Sequence, residues 1–112
     1  MAAAAIKILT VSVVAAAALA QYRAVTNAGV LPAAGARSLG FTDTIAAVGE
    51  RVSVGALGTT IAEAGAAFAA GDALELDASG RVIVKAAGVT VARAMQPAAA
   101  AGQLVEVLLI PY

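Results

Sequence analysis

The sequence predicts a small all-β fold, a barrel or sandwich with an extended N-terminal arm and at most one short helix. The first ground is a phrase written three times: Ala47-Val48-Gly49-Glu50-Arg51-Val52-Ser53-Val54, Ala69-Ala70-Gly71-Asp72-Ala73-Leu74-Glu75-Leu76 and Ala100-Ala101-Gly102-Gln103-Leu104-Val105-Glu106-Val107. Each copy offers a glycine able to take positive φ, a polar residue, and then the two-residue alternation of a half-buried strand. The second ground is a hairpin over residues 74–84. Its turn, Asp77-Ala78-Ser79-Gly80, has Asp first and Gly last, as a type I turn with a glycine bulge requires. The third is the failure of the one helix candidate. Residues 61–74 are alanine-rich, but Gly65 and Gly71 each cost about 1 kcal/mol in a helix interior, and Phe68 has no large apolar partner at helical spacing.

In chain order, residues 1–20 are an apolar N-terminal arm and first strand, and residues 21–112 a single β-domain. Ile8-Leu9-Thr10-Val11-Ser12-Val13 is rich in β-branched residues, as strands are. The same segment also fits a secretory signal, with Lys7, an apolar run and a small-residue site at Ala18-Leu19-Ala20. That run is shorter than the roughly 20 residues a membrane span needs. Lys7 stands behind four alanines and Ile6, a thin basic region for a signal, and the arm reading is preferred. Gln21-Tyr22-Arg23-Ala24-Val25-Thr26 reads as a strand ended by Asn27-Ala28-Gly29, and Leu31-Pro32-Ala33-Ala34-Gly35 as a loop. Residues 37–42 should pair with their neighbours, and residues 43–48 lead into the first copy of the phrase. Gly55-Ala56-Leu57-Gly58 reads as a turn before a separate short strand, Thr59-Thr60-Ile61-Ala62-Glu63. Glu75 falls on the outward, polar phase of its strand.

Composition narrows the function. A chain of 112 residues is one domain. Its apolar fraction is 62%, yet much of this is alanine and aromatics are only 4%. The core must be thin and the surface unusually apolar, which calls for an oligomer or a docking partner. Seven basic and seven acidic residues cancel and are scattered, so no basic stripe is available for nucleic acid. With no cysteine and no histidine, disulfides, thiolate chemistry and histidine bases are excluded. Ser12, Ser38, Ser53 and Ser79 have no base in any recognisable motif, and neither Lys7 nor Lys85 supplies one. Asp72 and Asp77 read as strand-opening and turn residues rather than paired acids. No calcium-loop spacing or phosphate-loop lysine is present. No catalytic, cofactor-binding or metal-binding residue is assigned, and no enzyme is expected.

The run from Ile61-Ala62-Glu63-Ala64-Gly65 through Phe68-Ala69-Ala70-Gly71-Asp72-Ala73-Leu74, with Asp77-Ala78-Ser79-Gly80-Arg81, resembles the capsid-cement, or head-decoration, proteins of tailed bacteriophages. There an alanine–glycine loop opens a strand with aspartate after the glycine, and a short Asp-x-x-Gly-Arg hairpin follows. Val91-Ala92-Arg93-Ala94, and Ala98 to Gly102 leading into Leu104-Val105-Glu106-Val107-Leu108-Leu109, is similar to that family's closing strands. Leu39-Gly40-Phe41-Thr42-Asp43 before Gly49 resembles its first such unit. The resemblance spans most of the chain from Gln21 onward; the N-terminus is longer and richer in alanine than the family pattern.

The resemblance implies a structural virion protein on the outer surface of the capsid head. It would bind the major capsid protein at capsomer junctions and stabilise the shell, commonly as a homotrimer, with no nucleic-acid or membrane partner. Ile6, Lys7, Ile8, Leu9 and Thr10 are the expected capsid-contact residues, through an N-terminal strand added to an exposed sheet edge. The rival reading is a secreted or periplasmic β-domain, an adhesin or binding module with residues 1–20 as its signal peptide.

Overall fold

A computed structural model describes residues 5–110, which form eight strands and no helix. These are β1 (Lys7–Val14), β2 (Ala24–Val25), β3 (Gly40–Thr42), β4 (Arg51–Glu63), β5 (Ala73–Leu76), β6 (Val82–Val84), β7 (Ala92–Ala94) and β8 (Leu104–Leu109). The repeated phrase opens β4, β5 and β8. Gly49, Gly71 and Gly102 each hold φ at +89°, the value a type II turn demands at its third position. A Cβ there would meet nothing within 4 Å; the glycine serves conformation, not space. The polar residue that follows clasps the turn. Glu50 N–H donates to the Ala47 carbonyl (3.1 Å) and Ala47 N–H donates back to Glu50 Oε1 (2.7 Å). Asp72 and Ala69 repeat the exchange at 3.3 and 3.0 Å. In the third copy, one residue longer, Ala99 N–H donates to Gln103 Oε1 at 2.8 Å.

The strands lie in one antiparallel sheet in the order β2-β3-β4-β8-β7-β5-β6, with β1 on β4 beside this path. A parallel bridge from Ala64, just past β4, to Val82 on β6 rolls β4, β8, β7, β5 and β6 into a small barrel. Its interior is filled by Ala62, Phe68, Leu74, Leu76, Val82, Val105 and Val107.

Backbone pairing shows the chain to be two copies of one unit. Val13↔Val52, Ala24↔Phe41 and Thr42↔Val54 in the first correspond to Ala62↔Val105, Ala73↔Arg93 and Ala94↔Val107 in the second. The bridge Leu19↔Ala46 corresponds to Phe68↔Ala98. Gly49 N–H donates to the Ala15 carbonyl and Gly102 N–H to the Ala64 carbonyl, both at 2.8 Å. The cores correspond as well: Ala15, Leu19, Val25, Ala46, Val52 and Val54 form one cluster. Ala64, Phe68, Leu74, Ala98, Val105 and Val107 belong to the other. β4 serves both units, ending the first and beginning the second.

Three sequence expectations are corrected. Gly55-Ala56-Leu57-Gly58 is no turn, because β4 runs unbroken for 13 residues. Gly58, at φ +96°, instead admits close approach by β1, since a Cβ there would lie 2.4 Å from the Ile6 carbonyl oxygen. The pairing of β1 slips twice alongside, between Lys7 and Leu9 and again before Thr10, as bulges do. Of residues 21–26 only Ala24–Val25 is strand. Gln21 and Tyr22 form a fourth turn equivalent to the repeated ones, in which Tyr22 takes φ +60° at a cost of about 1–2 kcal/mol for a residue with a Cβ. Its N–H donates to the Thr42 carbonyl as Gly71 N–H does to that of Ala94. Glu75 does not face outward but is 8% exposed beneath the loop at residues 86–88. The expected first strand, residues 8–13, lies within β1, and residues 1–4 of the expected arm lie outside the described residues.

Candidate interaction surface

β1 is an edge strand whose ladder partner among the described strands is β4. It lies outside the curl of the sheet, and residues 7–10 are exposed on both of their alternating faces. Ile6 and Ile8 are 72% and 75% exposed, with Leu9 and Val14 about half exposed. All five expected contact residues, Ile6, Lys7, Ile8, Leu9 and Thr10, thus lie together on one accessible strip. Lys7 is tethered by its ammonium to Asp43 at 3.1 Å, and Ile6 N–H donates to Thr59 Oγ1 at 2.7 Å. These bonds hold the strip's start against the body, so its apolar side chains are presented on a fixed backbone.

Beside the strip opens a cavity of about 330 Å³ lined by both units. Leu39 and Leu57 of the first unit and Val91 and Ile110 of the second occupy equivalent places in its wall, Leu9 joins it to the strip, and Arg37 stands at its polar side. Sequence reading missed this cavity because its walls meet only when the two units fold together. Adding it to Ile6, Ile8 and Leu9 enlarges an apolar surface of the kind that marks association sites.

The acidic residues serve the fold. Asp77 Oδ1 accepts from the N–H groups of Ser79 and Arg81, both at 2.9 Å, and builds the expected hairpin turn. Glu63 Oε2 lies 3.1 Å from Arg23 and 3.6 Å from Arg81, tying the first unit to the second. Glu75 Oε1 accepts from the N–H groups of Ala86 and Gly88. Those bonds, Ala86's foremost, hold its carboxyl below the usual carboxylate range; burial opposes them, and Lys85 adds a smaller push downward. Among the described residues no three acidic side chains converge as a metal site would need, and no helix is long and apolar enough to cross a membrane.

Fold and surface together define a class: a small all-β scaffold whose polar groups close turns and whose edge strand carries exposed apolar residues, Ile8, Leu9 and Val14, with Ile6 just before it. The sequence profile of the phage cement proteins matches residues 4–109, and the chain belongs to that family of capsid-associated phage proteins. Its fold is similar to that of the N base of head fiber gp8.5 in bacteriophage phi29. The TM-score is 0.76 at 18% identity, over 91% of this chain and 93% of that one. No curated protein sequence matches.

Proposed function

We propose that the chain is a non-enzymatic virion protein that binds the major capsid protein on the outer surface of the head and reinforces the shell at capsomer junctions. The observation that carries this is the exposure of Ile6 and Ile8, at 72% and 75%, on an edge strand, in a member of the phage cement family. Two physical contributions act there. Covering Ile6, Ile8 and Leu9 removes apolar surface from water at about 25 cal/mol per Å². The outer edge of β1 can add a strand of the shell protein by backbone hydrogen bonds. Association as a homotrimer would multiply a modest contact through effective concentration.

The placement of residues 7–20 also favours this reading over an exported domain. Removing residues 1–20 as a signal would strip β1 from β4 and take Ala15 and Leu19 out of the first core. The test is co-sedimentation of the full chain with undecorated heads of its own phage, alongside Ile8→Asp. The unaltered chain should bind saturably and Ile8→Asp at least tenfold more weakly. Equal binding by both would remove β1 from the contact.

A further inference from the structure

We propose that Glu75 is a positioning residue for the head-binding surface: its buried carboxylate fixes the two chain segments that wall the cavity beside β1. The inference rests on the reading of the chain as a head-bound protein, and it names a residue that acts on the contact from behind. Glu75 is the one charged residue buried among the described residues, at 8% exposure. A carboxylate taken out of water must be met by hydrogen bonds. Its Oε1 accepts from the N–H groups of Ala86 and Gly88. Backbone bonds flank it on both sides: Val91 N–H donates to the Leu74 carbonyl at 2.9 Å, and Gly35 N–H to the Leu76 carbonyl at 2.8 Å. The two segments are also joined to each other, since Val89 N–H donates to the Gly35 carbonyl at 2.9 Å. The loop at 86–88 and the segment at Gly35, one from each unit, thus meet at Glu75.

Both segments run from this meeting point straight into the cavity wall. Residues 37–39 follow Gly35, Thr90 and Val91 follow Gly88, and all five line the cavity. Ile110, a further wall residue, donates its N–H to the Val91 carbonyl at 3.0 Å. The packing behind the wall has no slack, because a Cβ on Gly88 would lie 2.5 Å from both Glu75 Oε2 and Gly35 Cα. A shift of the loop is therefore passed to Gly35 and on to the wall. The internal repeat shows that the backbone does not ask for a carboxylate here. The bond from Leu39 N–H to the Val25 carbonyl corresponds to that from Val91 to Leu74, which makes Thr26 the equivalent of Glu75. Thr26 Oγ1 accepts from Val30 N–H at 3.4 Å, four residues on. A hydroxyl serves a local return there, whereas the longer carboxylate reaches 11 and 13 residues along the chain. Leu9 belongs to both strip and cavity, so a fixed wall presents the strip already shaped. A preformed contact binds more tightly because less ordering is left for the docking step.

The test is co-sedimentation with undecorated heads at neutral pH, with folding checked by denaturant midpoint and free mass by sedimentation. Glu75→Ala removes the acceptor and should bind about tenfold more weakly, with its free mass unchanged. Gly88→Ala keeps the carboxylate but wedges the loop off Gly35; it should weaken binding in the same way, and it decides alone should Glu75→Ala not fold. Glu75→Gln retains an oxygen able to accept both N–H groups and should bind within about threefold of the unaltered chain. Gly71→Ala strains a turn that lines neither strip nor cavity; it controls for lost stability and should bind as the unaltered chain does. Amide exchange reads the same device without heads: Glu75→Ala should speed exchange at Ala86, Gly88 and Val89 and leave β8 protected. Full-strength binding by the folded Glu75→Ala and Gly88→Ala chains would overturn the inference, as would unchanged exchange at Ala86 and Gly88. So would a loss in Glu75→Gln or Gly71→Ala equal to that in Glu75→Ala. A smaller free mass in Glu75→Ala would make the cavity a contact between copies and overturn it too. If the unaltered chain does not bind heads, the proposed function falls and takes the inference with it; if Ile8→Asp weakens binding and the Glu75 and Gly88 variants do not, the inference falls alone.

Discussion

The two units of this chain share a backbone and part company in closure. In the second, β6 and the Ala64–Val82 bridge complete a barrel around Phe68, Leu74 and Val107. In the first no strand equivalent to β6 is present among the described strands; closure rests on a shorter return at Thr26–Val30, where Ala16 N–H donates to the Gly29 carbonyl at 3.0 Å, and the smaller cluster of Leu19, Val25 and Val54 is covered partly by Val11, Val13 and Leu39. The exposed β1 strip and the strained Tyr22 turn both lie in the open unit. The difference predicts that the second unit, with the larger buried cluster, carries more of the chain's stability than the first.

Paired substitutions can break that comparison. Phe68→Ala should have the largest effect, about 3–5 kcal/mol of stability lost to the cavity left in the closed barrel. Its equivalent Leu19→Ala should cost about 2–3 kcal/mol, because the more open site relaxes more readily. Denaturant midpoints measure both, and equal losses would deny that the barrel is the stronger half. Next come the positive-φ turns. Gly71→Ala should cost about 1 kcal/mol through backbone strain alone, since its Cβ has open space. Tyr22→Gly should be neutral or slightly stabilising in the same assay. Thr60 offers a change of similar size and opposite sign. Its hydroxyl is buried without a hydrogen-bond partner, and its structural equivalent is Val11. Thr60→Val should stabilise by about 1 kcal/mol, and a loss would show that the hydroxyl is satisfied.

The smallest effect is a pH dependence confined to the second unit. The Glu75 carboxyl titrates below its ordinary range when folded, so the unfolded chain binds its proton more readily. Its contribution is complete above the ordinary glutamate value of about 4.3 and is lost as the pH falls through the depressed folded value. Glu75→Gln should flatten the acid limb of stability against pH, and an unchanged slope would remove Glu75 as its source.

Much of the architecture was legible because short-range physics wrote it. Gly49, Gly71 and Gly102 marked strand openings, and Asp77 with Gly80 marked a hairpin, through demands that act within four residues. The duplication was hidden where the units diverged in side chain. Tyr22 stands for Gly71 and Arg93 for Phe41, so the fourth turn lacked its glycine and β7 lacked its aromatic. β4 reads as two pieces in sequence because Gly55 and Gly58 look like a turn, whereas in the fold β1 and β3 crowd against them. Glu75 followed the alternation of its strand, which carries no word of the loop folding over it 11 to 13 residues later. Residues 8–10 were legible as part of an N-terminal strand, but the cavity beside them needed Leu39 and Val91 from both units. In the sequence Tyr22 reads only as part of the strand over residues 21–26. Its signal, an alanine-flanked turn 49 residues before Gly71, emerges once the two units are superposed.

The central claim is that the open unit's edge strand docks the chain on the phage head. Its most direct test is quantitative co-sedimentation with undecorated heads, comparing the unaltered chain with Ile8→Asp at matched folding stability. Saturable binding that Ile8→Asp weakens by at least tenfold is the predicted result. Absence of binding by the unaltered chain, or binding indifferent to Ile8, would contradict it.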